Sequence, residues 1–403
     1  MSEDSVGDVF IEDGAIRGTP ERLPPDTEIV EARGLLLTPG LLDLHVHLRE
    51  PGNEAAETIE SGLRAAAAGG FTTVVAMPNT TPPMDTPDRL RAAIERAAAV
   101  TDGARLRPSA CLTRDRAGGE VGDLEALAAA GAAAFTDDGA TVTNDATMRE
   151  AMRRAARLGI AVMDHAQDRA AERDGVMHEG EFSRRFGLPG IPSAAEARVI
   201  ARDIAVARET GARLHIQHIS SREGVELLRA ARAEGLPVSA EATPHHLALT
   251  DADVRPDDAN YKMNPPLRSE ADRDAIAEAV LDGTIAVLAT DHAPHTTESK
   301  GRGFRTAPFG VIGLETAVGV TWTLLVRGLK LPPLEWVRRW TTGPARVLGL
   351  PPPTLAPGAP ADLALLDVTT PWRVESARFL SKSRNTPFEG WTLYGRAVRT
   401  WRA

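Results

Sequence analysis

The sequence predicts an α/β protein, a (β/α)8 or TIM barrel carrying a small β-sandwich built from both chain ends. Three observations carry this expectation. Apolar runs of strand length alternate with amphipathic stretches of helical period, eight times over roughly 300 residues, the span of such a barrel. Histidines and aspartates recur just where those runs end. The two chain ends lack the alternation and read instead as short strands broken by Gly, Pro and Asp.

Taken in order, Val9–Gly14 and Thr27–Leu36 are expected to be small strands. Eight strand candidates follow: Leu41–Val46, Thr72–Ala76, Leu106–Ala110, Ala132–Thr136, Ile160–Asp164, Leu214–Gln217, Val238–Ala242 and Ile285–Ala289. Helices are expected over Glu57–Ala68, Asp88–Ala98, Asn144–Arg157, Ala194–Glu209, Arg222–Ala233 and Glu270–Leu281. Thr86, Asn144, Ser193 and Ser221 have the short polar side chains that cap helix starts. Beyond Gly343 the chain turns rich in Pro, and Asp362–Asp367 and Gly390–Trp401 read as strands. The division is therefore 1–38 and 346–403 for the two parts of the sandwich and 39–345 for the barrel. From periodicity alone, a doubly wound open sheet has the same alternation.

Composition narrows the function. The net charge of -10, with no Lys/Arg stripe, argues against nucleic acid as a partner. No apolar run is long enough to span a membrane. The N-terminal stretch shows no secretory pattern, and the single Cys111 fits a reducing compartment, so a cytoplasmic protein is expected.

His45 and His47 end the first strand candidate at positions i and i+2, so both side chains share one face. Further candidates end in Thr136-Asp137-Asp138, Asp164-His165, Gln217-His218 and Thr290-Asp291-His292. Barrel active sites sit at this end of the strands, and imidazole with carboxylate suits zinc or a similar divalent metal. The ligands outnumber one tetrahedral site, so two metal ions are expected. His215 is expected to face the helices, His245 and His246 to support the rim, and His292 to orient its neighbours.

The segments His45-Val46-His47-Leu48-Arg49-Glu50-Pro51-Gly52, Met77-Pro78-Asn79-Thr80, Phe135-Thr136-Asp137-Asp138-Gly139, Asn264-Pro265-Pro266-Leu267-Arg268 and Ala289-Thr290-Asp291-His292-Ala293-Pro294-His295 resemble the dihydroorotases of the amidohydrolase superfamily. The resemblance implies zinc-dependent, reversible hydrolysis of the cyclic amide of L-dihydroorotate to N-carbamoyl-L-aspartate in pyrimidine biosynthesis. It implies that His45, His47 and Asp291 hold one metal and that His165 and His218 hold the second. A carboxylated lysine bridges the metals in many relatives. No lysine precedes Lys262 here, so an aspartate of the Asp137-Asp138 pair must take that role, Asp138 being preferred for its distance to His165. Asp291 is the implied acid/base. Arg49, Asn79 and His295 are the implied clamp for the substrate carboxylate, with Asn264 and the Phe309-Gly310 backbone reading the ring amide. A homodimer is implied, and association with aspartate carbamoyltransferase is known within the family. Hydantoinases and allantoinases are the nearest competing readings; they use the bridging lysine that this chain lacks.

Overall fold

The structure, a computed structural model, describes residues 6–403. Strands β1 (Phe10–Glu12) and β2 (Ala15–Arg17) form a hairpin, and β3 (Leu36–Pro39) leads directly into β4 (Leu41–Val46). β5 (Phe71–Ala76), β6 (Arg105–Pro108) and β7 (Val162–Asp164) follow. After the two-residue strands β8 (Met177–His178) and β9 (Gly190–Ile191) come β10 (Leu214–Ile216), β11 (Val238–Ala242) and β12 (Val287–Leu288). β13 (Leu363–Arg373) and β14 (Thr392–Trp401) complete the order.

β4, β5 and β6 pair in parallel, as do β7, β10, β11 and β12 in spatial order β12-β11-β10-β7. Phe135 stands between the two sheets, with parallel bridges to Ala110 and to Val162. The run Ala132–Thr136, expected as a strand, is thus reduced to single bridges. Its backbone is nevertheless satisfied on both sides: Ala133 N donates to Pro108 O at 2.8 Å and Phe135 N to Ala161 O at 3.0 Å. At the opposite edges, Val46 bridges His292 in parallel.

Helices connect these strands. Asp145–Leu158 shows why the sequence folds this way: Met148, Ala151, Met152 and Ala155, at helical spacing, are its buried residues. Asn144 caps its start by accepting from Ala146 N and Thr147 N, and Gly159, at φ 67°, ends it in a conformation that favours glycine. Ser221 also caps its helix through Gly224 N. Thr86 and Ser193 make no side-chain capping bond, so those two helices begin without the expected acceptor. The largest buried side chains include Phe71, Trp336 and Trp340, the Phe71 and Trp340 rings meeting edge-on at 5.2 Å.

Both chain ends contribute to one antiparallel sheet, in which β13 lies between β3 and β14 and Leu363 faces both Pro39 and Trp401. The β1–β2 hairpin joins it through a bridge from Ala15 to Pro360. Thr27–Leu36 forms no strand until Leu36. The segment lies in the open, Ile29 being 77% exposed, with no face to bury. No helix among the described residues is long and apolar enough to cross a membrane.

Candidate active site

Six side chains from five segments meet where the parallel strands end: His45, His47, Asp138, His165, His218 and Asp291, all buried. Five of them form two groups, His45–His47–Asp138 and Asp138–His165–His218, in each of which one candidate ligand atom per residue lies within 4.8 Å of the others. Asp138 belongs to both. Its Oδ1 lies 3.3 Å from His45 Nε2, 3.8 Å from His165 Nδ1 and 3.9 Å from His218 Nε2, while Oδ2 lies 3.6 Å from His47 Nε2. Asp291 Oδ1 stands 3.1 Å from His47 Nε2 and 3.4 Å from His45 Nε2.

The tautomers follow from the outer partners. His45 Nδ1 donates to Glu241 Oε1 at 2.7 Å and His47 Nδ1 to Asn79 Oδ1 at 2.9 Å. With Nδ1 so engaged, Nε2 of each ring is the nitrogen directed at the carboxylates. His45 Nε2 makes no hydrogen bond at all, and neither does His218 Nδ1. His165 Nε2 donates to Gln167 Oε1 at 2.7 Å, leaving Nδ1 to face His218 Nε2 at 2.8 Å. Ring nitrogens thus converge on carboxylate oxygens, an arrangement that a divalent cation completes by displacing any proton held there.

The electrostatics are those of a carboxylate cluster that calls for positive charge. Burial opposes charge on His45, yet the carboxylates of Asp138, Asp291 and Glu241 push its pKa well above the usual imidazole value. Burial would raise Asp138, but His45, His47 and His165 hold it well below the usual carboxylate range. His218 is lowered by burial and by its neighbours His165 and His45. An ionised Asp138 beside a neutral His218 has the protonation that metal ligands need.

Backbone strain marks the same places. His218 (φ 31°), Asp291 (φ 47°) and Arg49 (φ 60°) lie in the left-handed region without being glycine, a cost of about 1–3 kcal/mol each that tends to collect at functional sites. Asp43, buried below His45, links the first and last of the parallel strands by accepting from His45 N and Thr290 N, both at 3.1 Å.

The other sequence candidates lie around this centre. Arg49 Nε donates to Pro294 O at 3.1 Å, and its Nη2 stands 3.4 Å from His295 Nε2. Burial lowers the Arg49 guanidinium to about 10, so it remains a cation at neutral pH. His295 Nε2 donates to Phe309 O at 2.7 Å. Gly310 adopts φ 124°, and a Cβ there would stand 2.6 Å from that of Ala293, so only glycine fits. Asn79 is engaged at both ends of its amide, donating to Asp138 Oδ2 at 3.2 Å. Asn264 and Gln167 exchange two hydrogen bonds, of 2.7 and 3.1 Å. Asp137 points away from the histidines and accepts from Leu112 N and Thr113 N at 2.8 and 3.1 Å.

His215 differs from expectation. It shares a strand face with Gln217, not with the helices, because residues two apart on a strand point the same way. Its Nε2 lies 3.0 Å from Glu241 Oε2, and Gln217 Nε2 lies 3.3 Å from His45 Nδ1. Glu241 itself was not singled out from the sequence; the available signal was the one charged residue of the strand Val238–Ala242. Gln167, two residues after His165, was likewise missed, having no feature that separates it from an ordinary loop glutamine. His246 Nε2 donates to Pro265 O at 2.9 Å, and His292 Nε2 stands 3.3 Å from Glu57 Oε2.

Comparison with known proteins supplies the family. A family profile described as Dihydro-orotase-like matches residues 34–224. The chain is 47% identical over 397 residues to a dihydroorotase of Halalkalibacterium halodurans, spanning 98% of this chain and 92% of that protein. It is 48% identical over 389 residues to a dihydroorotase of Pelotomaculum thermopropionicum, spanning 96% and 91%. Among solved structures, L-hydantoinase (dihydropyrimidinase) from Arthrobacter aurescens matches with a TM-score of 0.84 at 26% identity, over 98% of this chain and 90% of that one. With nearly half its residues shared along almost its whole length, the chain belongs to the dihydroorotase family.

Proposed function

We propose that this enzyme interconverts L-dihydroorotate and N-carbamoyl-L-aspartate by reversible hydrolysis of the ring amide, within pyrimidine (UMP) biosynthesis. The observation that carries the reading is Asp138, set between two histidine pairs in a chain with no lysine before Lys262 to bridge them. We assign His45, His47 and Asp291 to one zinc ion and His165 and His218 to a second, with Asp138 shared. When bound, the metals supply Lewis acidity toward the amide carbonyl and lower the pKa of water.

The chain's own groups do the rest. Arg49 offers a planar guanidinium to the substrate carboxylate, with His295 beside it and Asn79 holding the neighbouring His47 and Asp138. Asn264 and the Phe309–Gly310 backbone are assigned to the amide edge of the ring. The Asp291 carboxylate takes a proton from the attacking water as the new C–O bond forms. It returns that proton to the ring nitrogen as the C–N bond breaks.

The proposal extends to the architecture. The succession of parallel pairings, including the bridge from Val46 to His292, supports one closed (β/α)8 barrel over 39–345, with 1–38 and 346–403 forming the appended β-unit. A cytoplasmic homodimer is proposed, the free buried Cys111 fitting a reducing compartment. An association with aspartate carbamoyltransferase is tested by co-purification. Assay of the zinc-loaded protein on dihydroorotate, N-carbamoyl-L-aspartate, hydantoin and allantoin tests the activity. Turnover of the last two without the first two would overturn it.

A further inference from the structure

The C-terminal part reaches the active site through a short strap. Ser381 Oγ donates to Glu57 Oε2, Ser383 Oγ donates to Ala56 O at 2.7 Å, and the strap then passes Asn385, only 4% exposed. Every polar group of the Asn385 side chain is used on the rim. Oδ1 accepts from His295 N at 3.1 Å, and Nδ2 donates to Ala293 O at 3.0 Å and to Gly310 O at 3.1 Å. Its own carbonyl accepts from Ile312 N at 2.9 Å. Residues 293–295 and 310–312 are thereby tied to one rigid planar amide. Gly310 O takes a second donor, Lys300 Nζ, at 2.8 Å.

We propose that Asn385 is a positioning residue for substrate recognition, setting the spacing between His295 and the Phe309–Gly310 backbone, so that the C-terminal strap is a working part of the site. This rests on the reading of His295 and Gly310 as substrate-binding. An amide offers one acceptor and two donors in a fixed plane, and here they meet one N–H and two carbonyls on two different segments. Aspartate has nearly the same shape but sets a carboxylate oxygen against the carbonyls of Ala293 and Gly310. Both segments must then shift, and the His295–Phe309 contact with them.

The test compares Asn385→Asp, Asn385→Ala, Ser383→Ala and His295→Ala for KM and kcat on dihydroorotate, for zinc content and for the thermal midpoint. Both Asn385 variants are expected to raise KM about tenfold or more while kcat stays within about threefold and zinc content is unchanged. Ser383→Ala removes a buried hydrogen bond from the same strap and is expected to leave KM within about twofold. In a His295→Ala background, Asn385→Asp is expected to raise KM by less than it does alone, the remaining rise reporting on the Phe309–Gly310 segment. An unchanged KM in Asn385→Asp, or an equal rise in Ser383→Ala, overturns the proposal. So does failure of both Asn385 variants to fold while Ser383→Ala folds. If His295→Ala itself leaves KM unchanged, the clamp reading falls; if it raises KM and Asn385→Asp does not, only the positioning role falls.

Discussion

Glu241 Oε1 lies 2.7 Å from His45 Nδ1, and Glu241 Oε2 lies 3.0 Å from His215 Nε2, so one fully buried carboxylate grips two imidazoles. Burial alone would raise its pKa, but the two rings hold it down at about 2. The ionised carboxylate fixes the His45 tautomer that presents Nε2 inward. Glu241→Gln is expected to weaken zinc binding about 10–100-fold, the usual cost of losing such a partner. Competition with a chelator measures it, and unchanged affinity would show that His45 is oriented by something else.

Arg49 and Asp291 are expected to separate binding from chemistry. Arg49→Ala should raise KM about 10–100-fold through a lost charge-assisted contact, with a smaller change in kcat. Asp291→Ala should lower kcat by about 10²–10⁴-fold or more, since the proposed proton carrier is gone. Steady-state kinetics in both directions decide the matter, and equally mild effects from the two changes would mean that the roles are misassigned.

Two adjacent carboxylates should behave as opposites. Asp137→Ala leaves the buried N–H groups of Leu112 and Thr113 unpaired and is expected to cost about 2–4 kcal/mol of stability in urea, while folded protein keeps its zinc. Asp138→Ala is expected to reduce zinc content at both positions with a much smaller loss in the metal-free protein. The reverse pattern would move the shared ligand to Asp137.

Glu315 accepts from Leu380 N at 2.8 Å and Ser381 N at 3.1 Å, and burial pushes its pKa up to about 7 from 4.5. The donors and Arg384 pull it down, while Glu57 pushes the same way as burial. Between those two values the folded chain holds more protons than the unfolded one. The contribution to stability is therefore fully present below about pH 4.5 and is lost as pH rises through about 7, to a limit of about 3 kcal/mol. Glu315→Gln should flatten the slope of the thermal midpoint between pH 5 and pH 7.5, roughly the window those values define. An unaltered slope in the variant would exclude Glu315 as its source.

Apolar runs and amphipathic helices were legible in the sequence. Leu41–Val46 and Val238–Ala242, buried on both faces, and the helices Arg222–Ala233 and Glu270–Leu281 have the expected bounds. Thr27–Leu36 was misread because an apolar composition says nothing about whether a partner surface exists. The six converging side chains were found because histidine and aspartate at successive strand ends have few other reasons to be there. Glu241, Gln167 and Asn385 escaped notice because their meaning lies in partners far away in sequence: Asn385 meets Ala293 and Gly310, and no local pattern encodes that. The three-residue spacing of His215 from His218 turns it the wrong way, because His218, at φ 31°, breaks the strand's alternation, while the two-residue spacing from Gln217 gives the observed face.

The backbone bond from His47 N to His292 O, 2.8 Å long, joins stretches separated by most of the intervening chain. A nascent polypeptide emerging from the ribosome owns His45 and His47 early, yet Asp291 is synthesised only after every other proposed ligand. On the proposed assignment, a metal ion would therefore join a nearly finished molecule and would not template its early collapse. Cells starved of zinc should accumulate a compact, inactive form that recovers activity on adding the ion without being unfolded first.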